Sequence, residues 1–174
     1  ISITGTQMQL WALFWHVNQL NENPIALGGI GMARILPVVF FSLIGGALAD
    51  SRDRRRVMFT TQSIAALLAL TLALFTQFGR VTIWHIYLIT ALQAVVVAFD
   101  GPSRQALIPN LVPKKDLPNA FSMTFTAFQA GAVIGPALSG IIIALFGQEA
   151  VYYVNALSFG AVLLALAMIG DVPQ

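Results

Sequence analysis

The chain has 174 residues, of which 57% are hydrophobic and only 9% charged, with a formal net charge of +2. A soluble domain carries roughly 25% charged residues, so this composition excludes an ordinary water-facing surface and makes lipid the natural solvent. Cysteine is absent, which excludes disulfides and thiolate metal sites.

Six apolar stretches follow in order, at about 1–20, 25–49, 57–78, 81–99, 117–146 and 150–170. Each is long enough to cross a hydrocarbon core of ~30 Å at ~1.5 Å per residue. In lipid only helices and closed barrels satisfy their backbone groups. These stretches are too long and too uniformly apolar for barrel strands, which need about ten alternating residues. The predicted fold is all-α, an integral membrane six-helix bundle. Short links at 21–24, 79–80 and 147–149 make neighbouring helices antiparallel. Pro24 and Pro118 fall near helix starts, where a missing N–H costs nothing. The chain begins at Ile1, already inside an apolar stretch, and is expected to be a segment of a longer protein.

The charges are unevenly placed. Arg52, Arg54, Arg55 and Arg56 crowd the link after helix 2, and Arg104, Lys114 and Lys115 follow helix 4. With six crossings these two links fall on the same side, and the other side has Arg80 alone. Such a bias marks the cytoplasmic face, so both ends of the segment are expected in the cytoplasm, with the chain in the cell (inner) membrane. Arginine at the start of helix 3 meets the positive end of its dipole; Asp50, Asp53 and anionic lipid head groups are expected to offset it. A nucleic-acid patch is disfavoured because the cluster lacks aromatic interleaving.

Gly46 to Arg55, GALADSRDRR, resembles the loop 2–3 signature of the major facilitator superfamily, through Gly46, Leu48, Asp50, Arg54 and Arg55. Ser51 stands where that family usually has a basic residue and Asp53 where it usually has glycine. The resemblance implies a cytoplasmic latch. Asp100 and Arg104, one helical turn apart, emerge on the same side and are expected to join Asp50 and Arg54 in a charge network that forms in one state and breaks in the other. Gly131 to Gly140, GAVIGPALSG, is similar to the superfamily's antiporter signature, through Gly131, Gly135, Pro136 and Gly140; Ser139 replaces the first glycine of the final pair. Proline kinks a helix and glycines four apart make a face for close packing. The resemblance implies an exporter. Phe99–Ser122 and ISITGTQMQ at the start look like the branch that contains the enterobactin exporter, although Ala132 stands where that pattern often has arginine. The whole chain would then be the N-terminal half of a twelve-helix transporter built as a 3+3 inverted repeat, with the C-terminal half as its partner.

Helices 2 and 5, both interrupted by glycine and proline, would be equivalent members of the two repeats and face the substrate. Arg34 is the single charge inside a span. Burying it in lipid costs at least ~2.5 kcal/mol, so it is expected to face a cavity that draws an anionic substrate, to close an outer gate, or to snorkel outward. Gln93 and Gln129 are further cavity candidates. His16, Asn18 and Gln19 lie near the outer end of helix 1, and His16 is expected to be a hydrogen-bonded structural group. Trp11, Trp15 and Trp84 suit interface anchors or cavity walls equally. No carboxylate lies mid-span, so a proton-coupling acid would sit at a helix end (Glu22 or Asp100) or in the other half. The sequence has no Walker pattern, no Ser/His/Asp set and no metal-ligand spacing, and no cofactor is expected. The expected function is secondary active export of a small molecule, coupled to protons, by alternating access. A self-sufficient six-helix unit that dimerises into a transporter or channel is the alternative. An integral-membrane enzyme is disfavoured because no convergent polar set lies at one depth.

Overall fold

The computed structural model describes residues 2–51 and 53–168, with side chains for all of these except 43 and 45–51. Six long helices follow in chain order: α1 Ser2–Leu20, α2 Pro24–Ser51, α3 Arg54–Gln77, α4 Ile83–Leu111, α5 Leu117–Phe146 and α6 Gln148–Met168. Five of them, α2 to α6, contain a stretch long and apolar enough to cross a membrane. The fold is an all-α membrane bundle. α1 carries polar residues that face inward: Ser2, Gln9 and His16 are buried, and α4 and α6 supply partners for Gln9 and His16.

The helix ends have local causes. Asp53 caps α3, its carboxylate accepting from the backbone N–H of Arg55 at 3.0 Å and of Arg56 at 3.3 Å. It also pairs with the Arg56 guanidinium at 3.3 Å. A carboxylate at this end satisfies orphan donors and neutralises the arginines that start the helix. α3 ends at Gly79, whose φ of +64° few other residues adopt. Arg80 N–H then reaches back to the Phe75 carbonyl and Gly79 N–H to that of Thr76, a glycine-closed helix end.

α4 corrects the expected boundary. It continues through Asp100–Leu111 to a short link with a 3-10 turn at Lys114–Asp116, so Arg104 is a helix residue. Pro102 and Pro109 suggest a loop, but two neighbours sustain the helix here. Leu107 packs with Met58 of α3 and Leu166 of α6, and Asp100 bonds both to α3 and to its own Arg104.

α2 packs along α4, α5 along α1, and α3 and α6 pack on each other; α3 also lies on α4 and α6 on α1. Exchanging α1 with α4, α2 with α5 and α3 with α6 carries this set of neighbours onto itself. Gly29 meets Tyr87 and Phe41 meets Phe99, so α2 and α4 run in the same direction. Gly131 meets Ile3 and Thr4 while Gly135 meets Gln7 and Met8, so α1 and α5 do too. The three short turns therefore share one end of the bundle and the arginine-rich links the other. The largest core lies toward the short-turn end, around Leu13, Ile30, Leu72, Ile86 and Tyr152.

Candidate functional site

At the arginine-rich end, Asp100 is 9% exposed. Its Oδ1 accepts from the Gln62 amide at 2.8 Å and lies 2.8 Å from the Thr61 hydroxyl. Thr61 also lies 2.9 Å from the Met58 carbonyl; its one proton serves one acceptor at a time. Asp100 Oδ2 takes Arg104 Nη2 at 3.0 Å and Nε at 3.3 Å. A buried carboxylate is tolerable only when paired and hydrogen-bonded, and both conditions are met here.

The loop arginines take backbone oxygens. Arg54 donates to the Ala106 carbonyl at 3.1 Å. Arg55 donates to the Leu166 and Ala167 carbonyls at 3.0 and 3.4 Å. Those last two lie at the α6 end of the described residues. α3, α4 and α6 are thus tied together at this end. Of the expected charge network, the structure joins Asp100 to Arg104 and directs Arg54 to a carbonyl. The side chains of Gly46 and Asp50, and Arg52 as a whole, lie outside the described residues.

α5 meets α1 through small residues four apart. A Cβ on Gly131 would lie 3.0 Å from Ile3 Cγ2, and one on Gly135 would lie 2.7 Å from Gln7 Cβ and 3.2 Å from Met8 N. Ser139 continues this stripe, 1% exposed. Gly140 faces open space, and Pro136 sits half-buried beside the seam.

A second polar group lies near mid-depth. Asn155 Nδ2 of α6 donates to Gln9 Oε1 of α1 at 2.6 Å. Gln9 Nε2 in turn donates to Gln93 Oε1 of α4 at 2.7 Å. Ser158 supports Asn155 through its carbonyl at 2.8 Å. Counting from the short-turn ends at ~1.5 Å per residue, Gln9 and Gln93 lie ~15 Å in, about half of a ~30 Å core. Gln93 was expected from the sequence; Gln9, Asn155, Thr61 and Gln62 were not. Their signal was matching depth in different spans, which only the packing turns into contact.

The remaining candidates stand apart. Arg34 and Gln129 are exposed on this six-helix unit. Buried His16 places Nδ1 3.1 Å from the Tyr152 hydroxyl, a paired group near the short-turn end. Trp11, Trp15 and Trp84 are all at least half exposed.

These features define a multi-pass membrane protein whose helices pair as two exchangeable triplets. The family model described as transmembrane secretion effector matches residues 1–172, and the chain belongs to this family of major facilitator transporters. It is 30% identical to the staphyloferrin A transporter of Staphylococcus aureus over 90% of its length and 40% of the relative's. It is 26% identical to an uncharacterised MFS-type transporter of Bacillus subtilis over 90% and 36%. It is 25% identical to the multidrug efflux pump Tap of Mycolicibacterium fortuitum over 95% and 42%. The chain thus spans about two fifths of the length of these relatives. No solved structure matches it significantly.

Proposed function

We propose that this chain is the N-terminal half of a twelve-helix secondary transporter that exports a small organic molecule by alternating access, driven by a proton gradient. The observation that carries this reading is the Asp100 bracket, which ties α3 to α4 at the arginine-rich end. A bracket made of a few polar contacts at one end of a bundle is an element that rocking motion can hold in one state and release in the other. The siderophore and multidrug roles in the relatives' names support a small-molecule cargo. Proton coupling is carried over from the family resemblance.

The crowding of Arg and Lys at one end supports a cytoplasmic location for both termini of the segment and insertion in the cell (inner) membrane. α2 and α5 have the smallest buried share among the spans, 11% and 17%. Their outward faces are the proposed seat for lipid and for the second half. Two experiments test the reading. The intact mass of the native polypeptide should be more than twice the 18.7 kDa of this chain, as its two-fifths share of the relatives implies; a mass near 18.7 kDa would make it a self-standing six-helix unit. Inverted vesicles holding the full-length transporter should accumulate at least one of ethidium, fluorescein or Nile red when a proton gradient is imposed. Accumulation of none would sink export.

A further inference from the structure

The mid-depth amides form a directed chain. Asn155 donates to Gln9 and Gln9 donates to Gln93, which leaves Gln93 Nε2 as its unspent donor, buried and without a partner. The Thr90 hydroxyl, one turn earlier on α4, is likewise buried and unpartnered. Successive hydrogen bonds polarise one another, so the last N–H of such a chain is a strengthened donor.

Arg34 lies at the same level. Gly29 meets Tyr87 and Phe41 meets Phe99. Both pairs differ by 58 in residue number, which sets Arg34 beside residue 92, next to Gln93. Leu27, Ile30 and Arg34 follow at i, i+3 and i+7, one face of a helix. Leu27 and Ile30 pack in the core shared with α1 and α4, yet Arg34 is exposed. The packing that covers Ile30 therefore stops within one turn, and Arg34 is left uncovered on this six-helix unit. Counting from Pro24 at ~1.5 Å per residue, it is ~15 Å deep. Among the described residues it has no carboxylate partner: the ion pairs there are Arg56–Asp53 and Arg104–Asp100.

We propose that Arg34 and Gln93 form a mid-membrane subsite for a carboxylate, carried by an organic-acid substrate. The proposal rests on the export reading and narrows its cargo. The guanidinium supplies charge and a planar fork that suits two carboxylate oxygens. Gln93 Nε2 adds a neutral donor from the opposite helix. A guanidinium unpaired at this depth is costly, and an anionic cargo neutralises it during binding.

The test uses the full-length transporter in proteoliposomes with two probes of equal shape, 2-naphthoate and 2-naphthamide. The wild type should bind the acid about ten-fold or more tightly than the amide, in line with charge-assisted hydrogen bonds. Arg34→Gln should bring that ratio close to one, and Arg34→Lys should keep part of it. Gln93→Leu should weaken 2-naphthoate binding about three-fold or more. Equal binding of both probes by the wild type overturns the proposal. So does a ratio that survives Arg34→Gln. If Arg34→Gln leaves the ratio intact but lowers the melting temperature of the substrate-free transporter, the carboxylate belongs to a side chain of the other half. Should Arg34→Gln not fold, Gln93→Leu decides, and unchanged 2-naphthoate affinity overturns the subsite. Dye accumulation without acid preference removes the subsite and leaves export standing; no dye accumulation removes export itself.

Discussion

The carboxylate of Asp100 on α4 accepts a 2.8 Å hydrogen bond from the amide of Gln62 on α3, so the two helices are joined through a charge that a third group, Arg104, balances. Replacing Asp100 by asparagine keeps the shape and removes the charge. Breaking a fully buried pair costs about 3–5 kcal/mol. This pair is partly solvated, with side chains 13% and 31% exposed, so about 1–3 kcal/mol is expected. Thermal unfolding of the purified full-length protein should show a melting temperature several degrees lower for Asp100→Asn. An unchanged value would mean the bracket holds nothing.

The α1–α5 seam separates two glycines of one motif. Gly135→Ala would press a methyl to 2.7 Å from Gln7 Cβ, with the Met8 backbone 3.2 Å away. Overpacking of this kind costs about 1–3 kcal/mol. Gly140→Ala enters open space and should change stability by less than about 0.5 kcal/mol. Comparing the two melting temperatures checks the assignment, and equal losses would contradict it.

Asp53 is expected to act as a cap. Asp53→Ala should cost about 1 kcal/mol, and Asp53→Gly only a few tenths, because glycine suits a cap position. Hydrogen exchange at the Arg55 and Arg56 amides reads this locally. Faster exchange in the alanine variant than in the glycine variant is the expected order.

Asn155→Ala removes the first donor of the amide chain and leaves Gln9 Oε1 without its bond. Interhelical hydrogen bonds in membranes average about 0.6 kcal/mol, with up to about 2 kcal/mol expected here because Gln9 is almost fully buried. Gly5→Ala should be as damaging, since its methyl would fall 2.6 Å from Asn155 Oδ1 and Ser158 Oγ. Unfolding of both variants in the same detergent compares them.

Helix number and most boundaries were legible because they follow from local chemistry. α5 ends where Pro118 and Gly147 say it should. The extension of α4 to Leu111 was not legible: Asp100 and Arg104 were expected one helical turn apart, but the span was expected to stop at 99, and the contacts with α3 and α6 that carry the helix onward depend on packing. The antiporter-like motif was visible, but which residues form the seam depends on where α1 lies, and Ser139 rather than Gly140 completes it. Gln9, Gln93 and Asn155 are 84 and 146 residues apart along the chain, a convergence that no spacing rule encodes.

Transport itself is the most direct measurement of the central claim. Inverted vesicles carrying the full-length protein would be given an imposed proton gradient and the three dyes, with wild type and Asp100→Asn compared. Gradient-dependent accumulation by the wild type, abolished by a protonophore and altered in rate by Asp100→Asn, is the predicted result. Accumulation of no dye, or accumulation indifferent to both the gradient and Asp100, would contradict an exporter whose cytoplasmic bracket governs its cycle.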